Sequence, residues 1–109
     1  MAYDQVLAGR VRSMLAGVAS MEEKKMFGGV GFLVQGNMAC GVHGDDLIVR
    51  VGPDRHAEAI EQPHTKLFDL TGKPMAGWIL VTPSGVTSDA DLEKWVSQGL
   101  DFAKTLPGK

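Results

Sequence analysis

Apolar residues Tyr3, Leu7, Val11, Met14 and Val18 recur every three or four positions, Val6 and Leu15 widen the stripe, and Gln5, Arg12 and Ser13 lie opposite. The spacing predicts an amphipathic helix over about residues 3–16, stopped by Gly17. Gly9 inside it weakens the helix by about 1 kcal/mol relative to Ala, so tertiary packing has to hold it. Ser20 to Lys25 reads as a polar link. The period then drops to two: Val30, Phe32 and Val34 mark a strand, Gly36-Asn37 a two-residue hairpin turn, and Met38, Cys40 and Val42 one face of a second strand. Gly44-Asp45-Asp46 is the next turn, before Leu47, Val49 and Val51 on a third strand.

Gly52-Pro53-Asp54 opens a short helix running to about Gln62 and stopped by Pro63, with a thin apolar face of Ala57, Ala59 and Ile60. Leu67 to Leu70 reads as a short strand and Thr71-Gly72-Lys73-Pro74 as a turn. Trp78 to Val81 is a continuous apolar strand ended by Pro83, a run expected where both faces are buried. Ser88, with Asp91 three residues on, caps a last helix whose stripe is Leu92, Trp95, Val96, Gly99, Ala103 and Leu106, extended by Phe102 and stopped at Pro107-Gly108. The pattern predicts one α+β domain over residues 1–109, in the order α-β-β-β-α-β-β-α. An antiparallel sheet of about five strands, with the terminal helices packed on one face, buries all these stripes.

Eleven Lys and Arg against 13 Asp and Glu leave a net charge of -2, so no strong positive field gathers phosphates. Nucleic-acid binding would need Arg10, Arg12, Lys24, Lys25, Arg50 and Arg55 to converge against that acidic total. The single cysteine, Cys40, cannot form an intrachain disulfide, which favours a reducing cytoplasm. The early acid Asp4 and the lack of a basic start predict no targeting segment. The uncharged stretch from Met26 to Gly44 is too rich in glycine to span a membrane.

Candidate chemistry thins out on inspection. Phe27-Gly28-Gly29-Val30-Gly31 has the glycines of a phosphate loop but is followed by strand periodicity instead of a helix, so it reads as a strand start where glycine permits close backbone contact. Cys40 and His43 have the spacing of half a zinc site, yet residues three apart on a strand point to opposite faces, and no second ligand pair follows. Asp45 and Asp46 fit a solvated turn, His56 and His64 read as exposed histidines, and Ser84 sits in Pro-Ser-Gly turn chemistry. No catalytic residue, metal ligand or cofactor is assigned. Two lysines after Glu22-Glu23 stand just before the Met26 to Gly31 segment, where an anion or a partner could make contact.

Lys25-Met26-Phe27-Gly28-Gly29-Val30-Gly31-Phe32 resembles the hallmark of the TfoX/Sxy N-terminal domain family, in which a Met-Phe-Gly-Gly core opens the first strand. The resemblance continues through Gly36-Asn37-Met38, Gly41-Val42, Asp46 to Val51, Phe68, Gly72 to Met75, Trp78 to Pro83 and Leu92 to Val96. It implies a small bacterial α+β domain linked to regulators of natural competence, with no catalytic residues to carry over. Regulators of this kind have an additional C-terminal domain, so the expectation is a stand-alone N-terminal-like domain. The function expected is a non-enzymatic cytoplasmic regulatory or protein-interaction domain, tied to transcriptional or competence control. Its candidate contact is Lys25, Met26, Phe27, Gly28 and Gly29, and its expected partner another protein, a second copy of the chain included, with weak or no nucleic-acid binding and no membrane association. A nucleic-acid-binding domain, or a small-ligand binder or enzyme with a pocket of converging polar groups, is the alternative.

Overall fold

The computed structural model describes residues 3–26, 29–68 and 77–107. Helix α1 runs Gln5–Met14, and Asp4 caps it by accepting hydrogen bonds from the amides of Val6 and Leu7 at 2.9 and 3.1 Å. It is shorter than the apolar stripe because Leu15 already leaves helical geometry, so Gly17 lies beyond the cap. The strands are β1 Met21–Met26, β2 Gly29–Val34, β3 Asn37–His43 and β4 Asp46–Arg50. A 3₁₀ turn at Pro53–Arg55 leads into α2, His56–Ile60, in place of one helix to Gln62. Strands β5, Thr65–Leu67, and β6, Trp78–Val81, precede α3, Asp89–Lys104. Ser88 caps α3 by accepting from the Asp91 amide at 3.1 Å, as the spacing predicts.

The fold is α+β: a six-stranded antiparallel sheet in the order β1-β2-β3-β4-β6-β5. The sixth strand is β1, formed by the segment read above as a polar link. Leu7 and Val11 of α1 and Leu92, Trp95 and Val96 of α3 bury against Val30, Phe32, Cys40, Val42, Leu47, Val49, Ile79 and Val81. Both longer helices therefore cover one face of the sheet. The other face carries a smaller cluster of Leu33, Met38, Ile48, Phe68 and Leu80, with Trp78 packed beside it. Strand β6 contributes to both clusters, which accounts for its unbroken apolar run.

Two details of register differ from the simple alternation. The β2–β3 turn residues are Gln35 and Gly36, with φ of 52° and 82°, the positive values a two-residue hairpin needs. Asn37 instead begins β3, where its buried side-chain amide donates to the Pro107 carbonyl at 2.8 Å. Phe32 pairs with Cys40 but Leu33 with Met38, so Ala39 is an extra, bulged residue. The bulge resets the alternation and sends Met38 to the face opposite Cys40 and Val42, which a strict period of two had placed together.

The predicted strand end at Asp69 and Leu70 and the turn at Thr71 to Pro74 lie outside the described residues.

Candidate functional site

Strand β1 has the sequence Met-Glu-Glu-Lys-Lys-Met and stands at the end of the sheet. Its register, Glu23 opposite Phe32 and Lys25 opposite Val30, puts the odd positions on the helical face and the even positions, Glu22 and Lys24, on the other. Arg12 of α1 reaches down to Glu23 with two parallel hydrogen bonds, 2.7 and 2.8 Å, which lock helix and edge strand together. That guanidinium holds the Glu23 carboxyl below the usual carboxylate range. On the opposite face Lys24 lies 3.9 Å from Glu22.

The backbone of this strand has a definite polarity. The Gln35 amide donates to the Ser20 carbonyl at 3.0 Å, so these directly opposed residues form a hydrogen-bonded pair. In an antiparallel ladder bonded pairs alternate, so Glu22/Leu33, Lys24/Gly31 and Met26/Gly29 bond to each other. Met21, Glu23 and Lys25 therefore turn their N–H and C=O groups to the open side. Glu22, Glu23, Lys24 and Lys25 are all exposed.

Of the residues singled out from the sequence, Lys25 is thus an exposed edge position, Met26 closes β1, and Gly29 opens β2 opposite Met26. Phe27 and Gly28 lie outside the described residues. A Cβ on Gly29 would overlap the Val42 carbonyl of β3, so glycine there serves close backbone approach. Gly29→Val is expected to destabilise by about 1–3 kcal/mol, the scale of a local overpacking, read from the denaturant midpoint. An unchanged midpoint would remove the steric account. The polar-link reading of Ser20 to Lys25 gives no sign that Met21 to Lys25 form a strand, or that Arg12 anchors it through Glu23.

The basic residues do not converge. Arg10 donates to the Val86 and Thr87 carbonyls and to Asp89, at 2.9, 3.3 and 3.1 Å, and Arg12 is held by Glu23. Arg50 is stacked between Trp78 and Phe102, 5.0 and 5.3 Å from their centroids, and its burial pushes its pKa down. Arg55 lines a cleft of about 340 Å³ between α2 and α3 with Glu58, Ala59, Gln62 and Gln98. The polar side chains of that cleft come from exposed or half-exposed positions, open to water.

The remaining candidates separate in the same way. Cys40 is fully buried under the helices, whereas His43 is half-exposed at the end of β3. Asp45 is in the turn, but Asp46 belongs to β4 and pairs with Lys66 at 2.9 Å. His56, read as a lone exposed side chain, is half-buried and its Nδ1 accepts from the Gly77 amide at 3.1 Å. His64 is exposed, and Ser84 lies in a 3₁₀ turn. Among the described residues no helix is long and apolar enough to cross a membrane.

With the sheet in place, comparison with family models matches the TfoX N-terminal domain over residues 13–103. The chain belongs to that family. The TfoX N-terminal match takes in all six strands and nearly all of α3, so the β1 edge and its hairpin are part of the shared domain. Membership supports, at the level of the family, a regulatory, competence-related domain. Comparison with curated proteins and with solved structures returned no match.

Proposed function

We propose that this TfoX N-terminal domain is a cytoplasmic, non-enzymatic regulatory module that binds another protein, in transcriptional or competence control, and that the open edge of β1 with the segment from Lys25 to Gly29 is its contact. The observation that carries the reading is the row of outward backbone groups on Met21, Glu23 and Lys25, on a strand anchored by the Arg12–Glu23 pair. An extended segment of a partner gains main-chain hydrogen bonds by adding to such an edge, and side chains on alternate faces select it. Lys-rich edges discourage indiscriminate pairing, so a partner must match the charges as well as the backbone.

Proline substitution separates this contact from folding. The Lys25 amide points outward, so Lys25→Pro removes an edge donor while sparing the β1–β2 ladder. The Lys24 amide points into the ladder, so Lys24→Pro breaks it. Lys25→Pro is expected to keep a cooperative unfolding transition and to lose capture of the partner by a tagged domain in lysate, with Lys24→Pro destabilised. Undiminished capture by folded Lys25→Pro would exclude the edge as the contact. Generic duplex DNA is expected to bind weakly at physiological salt, because Arg10, Arg12 and Lys24 each face a carboxylate. Fluorescence anisotropy across a salt series checks this, and tight binding with a steep salt slope would promote the nucleic-acid reading.

A further inference from the structure

The order of charges on β1 has a consequence for what can pair with it. Glu22 and Lys24 stand two residues apart on one face of β1, so in a reversed copy of the strand, as an antiparallel neighbour is, each can fall opposite the other. We propose that the β1 edge pairs with the β1 edge of a second copy of this chain, joining two sheets into one across a two-fold axis. The inference rests on the edge reading above and names its partner.

Symmetry and the backbone pattern select the register. A two-fold axis perpendicular to the sheet keeps every side chain on its own face, so opposed residues must have the same parity in sequence. The symmetric arrangements near the strand centre therefore place the axis at Glu23 or at Lys24. Centring on Lys24 sets two lysines against each other in a non-hydrogen-bonded pair, where side chains lie closest. Centring on Glu23 opposes the two Glu23 residues in the wider hydrogen-bonded pair, and each carboxylate is already held by two N–H groups of Arg12. That second register also uses the outward amides and carbonyls of Met21, Glu23 and Lys25, and sets Met21 opposite Lys25 of the second copy.

On the face away from the helices the same register sets Glu22 opposite Lys24 of the second copy, twice. Lys24 already lies 3.9 Å from Glu22 of its own strand. The four groups then alternate in sign around a square, each flanked by two opposite charges. One six-residue strand spans only about 20 Å, so the interface is small and the association weak and concentration-dependent.

Sedimentation velocity from micromolar to millimolar protein tests this. The parent is expected to self-associate. Glu22→Lys makes the square all positive and Lys24→Glu makes it all negative, so each variant alone is expected to associate about tenfold more weakly or not at all. Mixing the two variants sets two lysines on one strand against two glutamates on the other, so every contact across the interface is between opposite charges, and the mixture is expected to associate at least as well as the parent. The double variant E22K/K24E should recover as well. All these positions are exposed, and thermal unfolding checks that each variant stays folded. A parent that remains monomeric at millimolar concentration, or a mixture no better than either variant alone, overturns the pairing with a second copy. If capture of another protein is nevertheless lost in Lys25→Pro, the edge reading stands and the partner is a different chain.

Discussion

Gly9→Ala is expected to stabilise the protein by about 1 kcal/mol and Gly99→Ala to destabilise it by about 2–3 kcal/mol, although both glycines lie inside helices. Helix propensity favours alanine at both positions by the same amount, because glycine has more backbone freedom to lose. The surroundings reverse the sign at one of them. A Cβ on Gly9 meets nothing nearer than an Arg12 guanidinium nitrogen at 4.0 Å, ordinary contact with a flexible side chain. A Cβ on Gly99 would run into the carbonyl oxygen of Ala39, the bulged residue of β3. Backbone in mid-sheet cannot step aside as a side-chain tip can, so α3 would have to withdraw from the sheet that Leu92, Trp95 and Val96 hold it against. Denaturant midpoints decide the matter. A Gly99→Ala protein as stable as Gly9→Ala would mean that helix and bulge are not in close contact.

The same contact explains where sequence reading reached and where it stopped. Helix α3 was legible because its stripe, its Ser88 cap and its Pro107 stop are all local. The bulge was not, because Met38, Cys40 and Val42 keep a faultless period of two, and what sends Met38 to the other face is an extra residue at Ala39 matched by a distant Gly99. Strand β1 was invisible for a different reason. Of its helix-facing positions only Met21 is apolar, and the charge at Glu23 is tolerated because Arg12, eleven positions earlier, lies above it. An edge strand needs little apolar periodicity, since it has one neighbour and half its backbone faces water. The candidate contact was therefore found through its glycines and its family resemblance, while the charged strand that makes it an edge emerged only from the tertiary pairing.

Cys40 sets the largest expected effect of pH. Burial in the middle of the sheet pushes its thiol from the ordinary 9.0 up to about 12, because no neighbouring charge compensates a thiolate there. The folded state therefore holds the proton that the unfolded chain releases. Stability contributed by this difference is fully present below pH 9.0 and is lost as pH rises toward 12. Three pH units correspond to about 4 kcal/mol, an upper bound on the whole titration. Much of a small domain's stability would disappear over that window. Cys40→Ala removes the titrating group at the smaller and pH-independent expense of a few buried atoms, about 1–2 kcal/mol. Tyrosine and lysine titrations are common to both proteins, so subtracting their stability-against-pH curves isolates the thiol. The parent is expected to start more stable at neutral pH and to fall below Cys40→Ala in strong alkali. Parallel curves would show that the thiolate finds solvent or a partner in the folded protein, and that the core above β3 opens more readily than its packing implies.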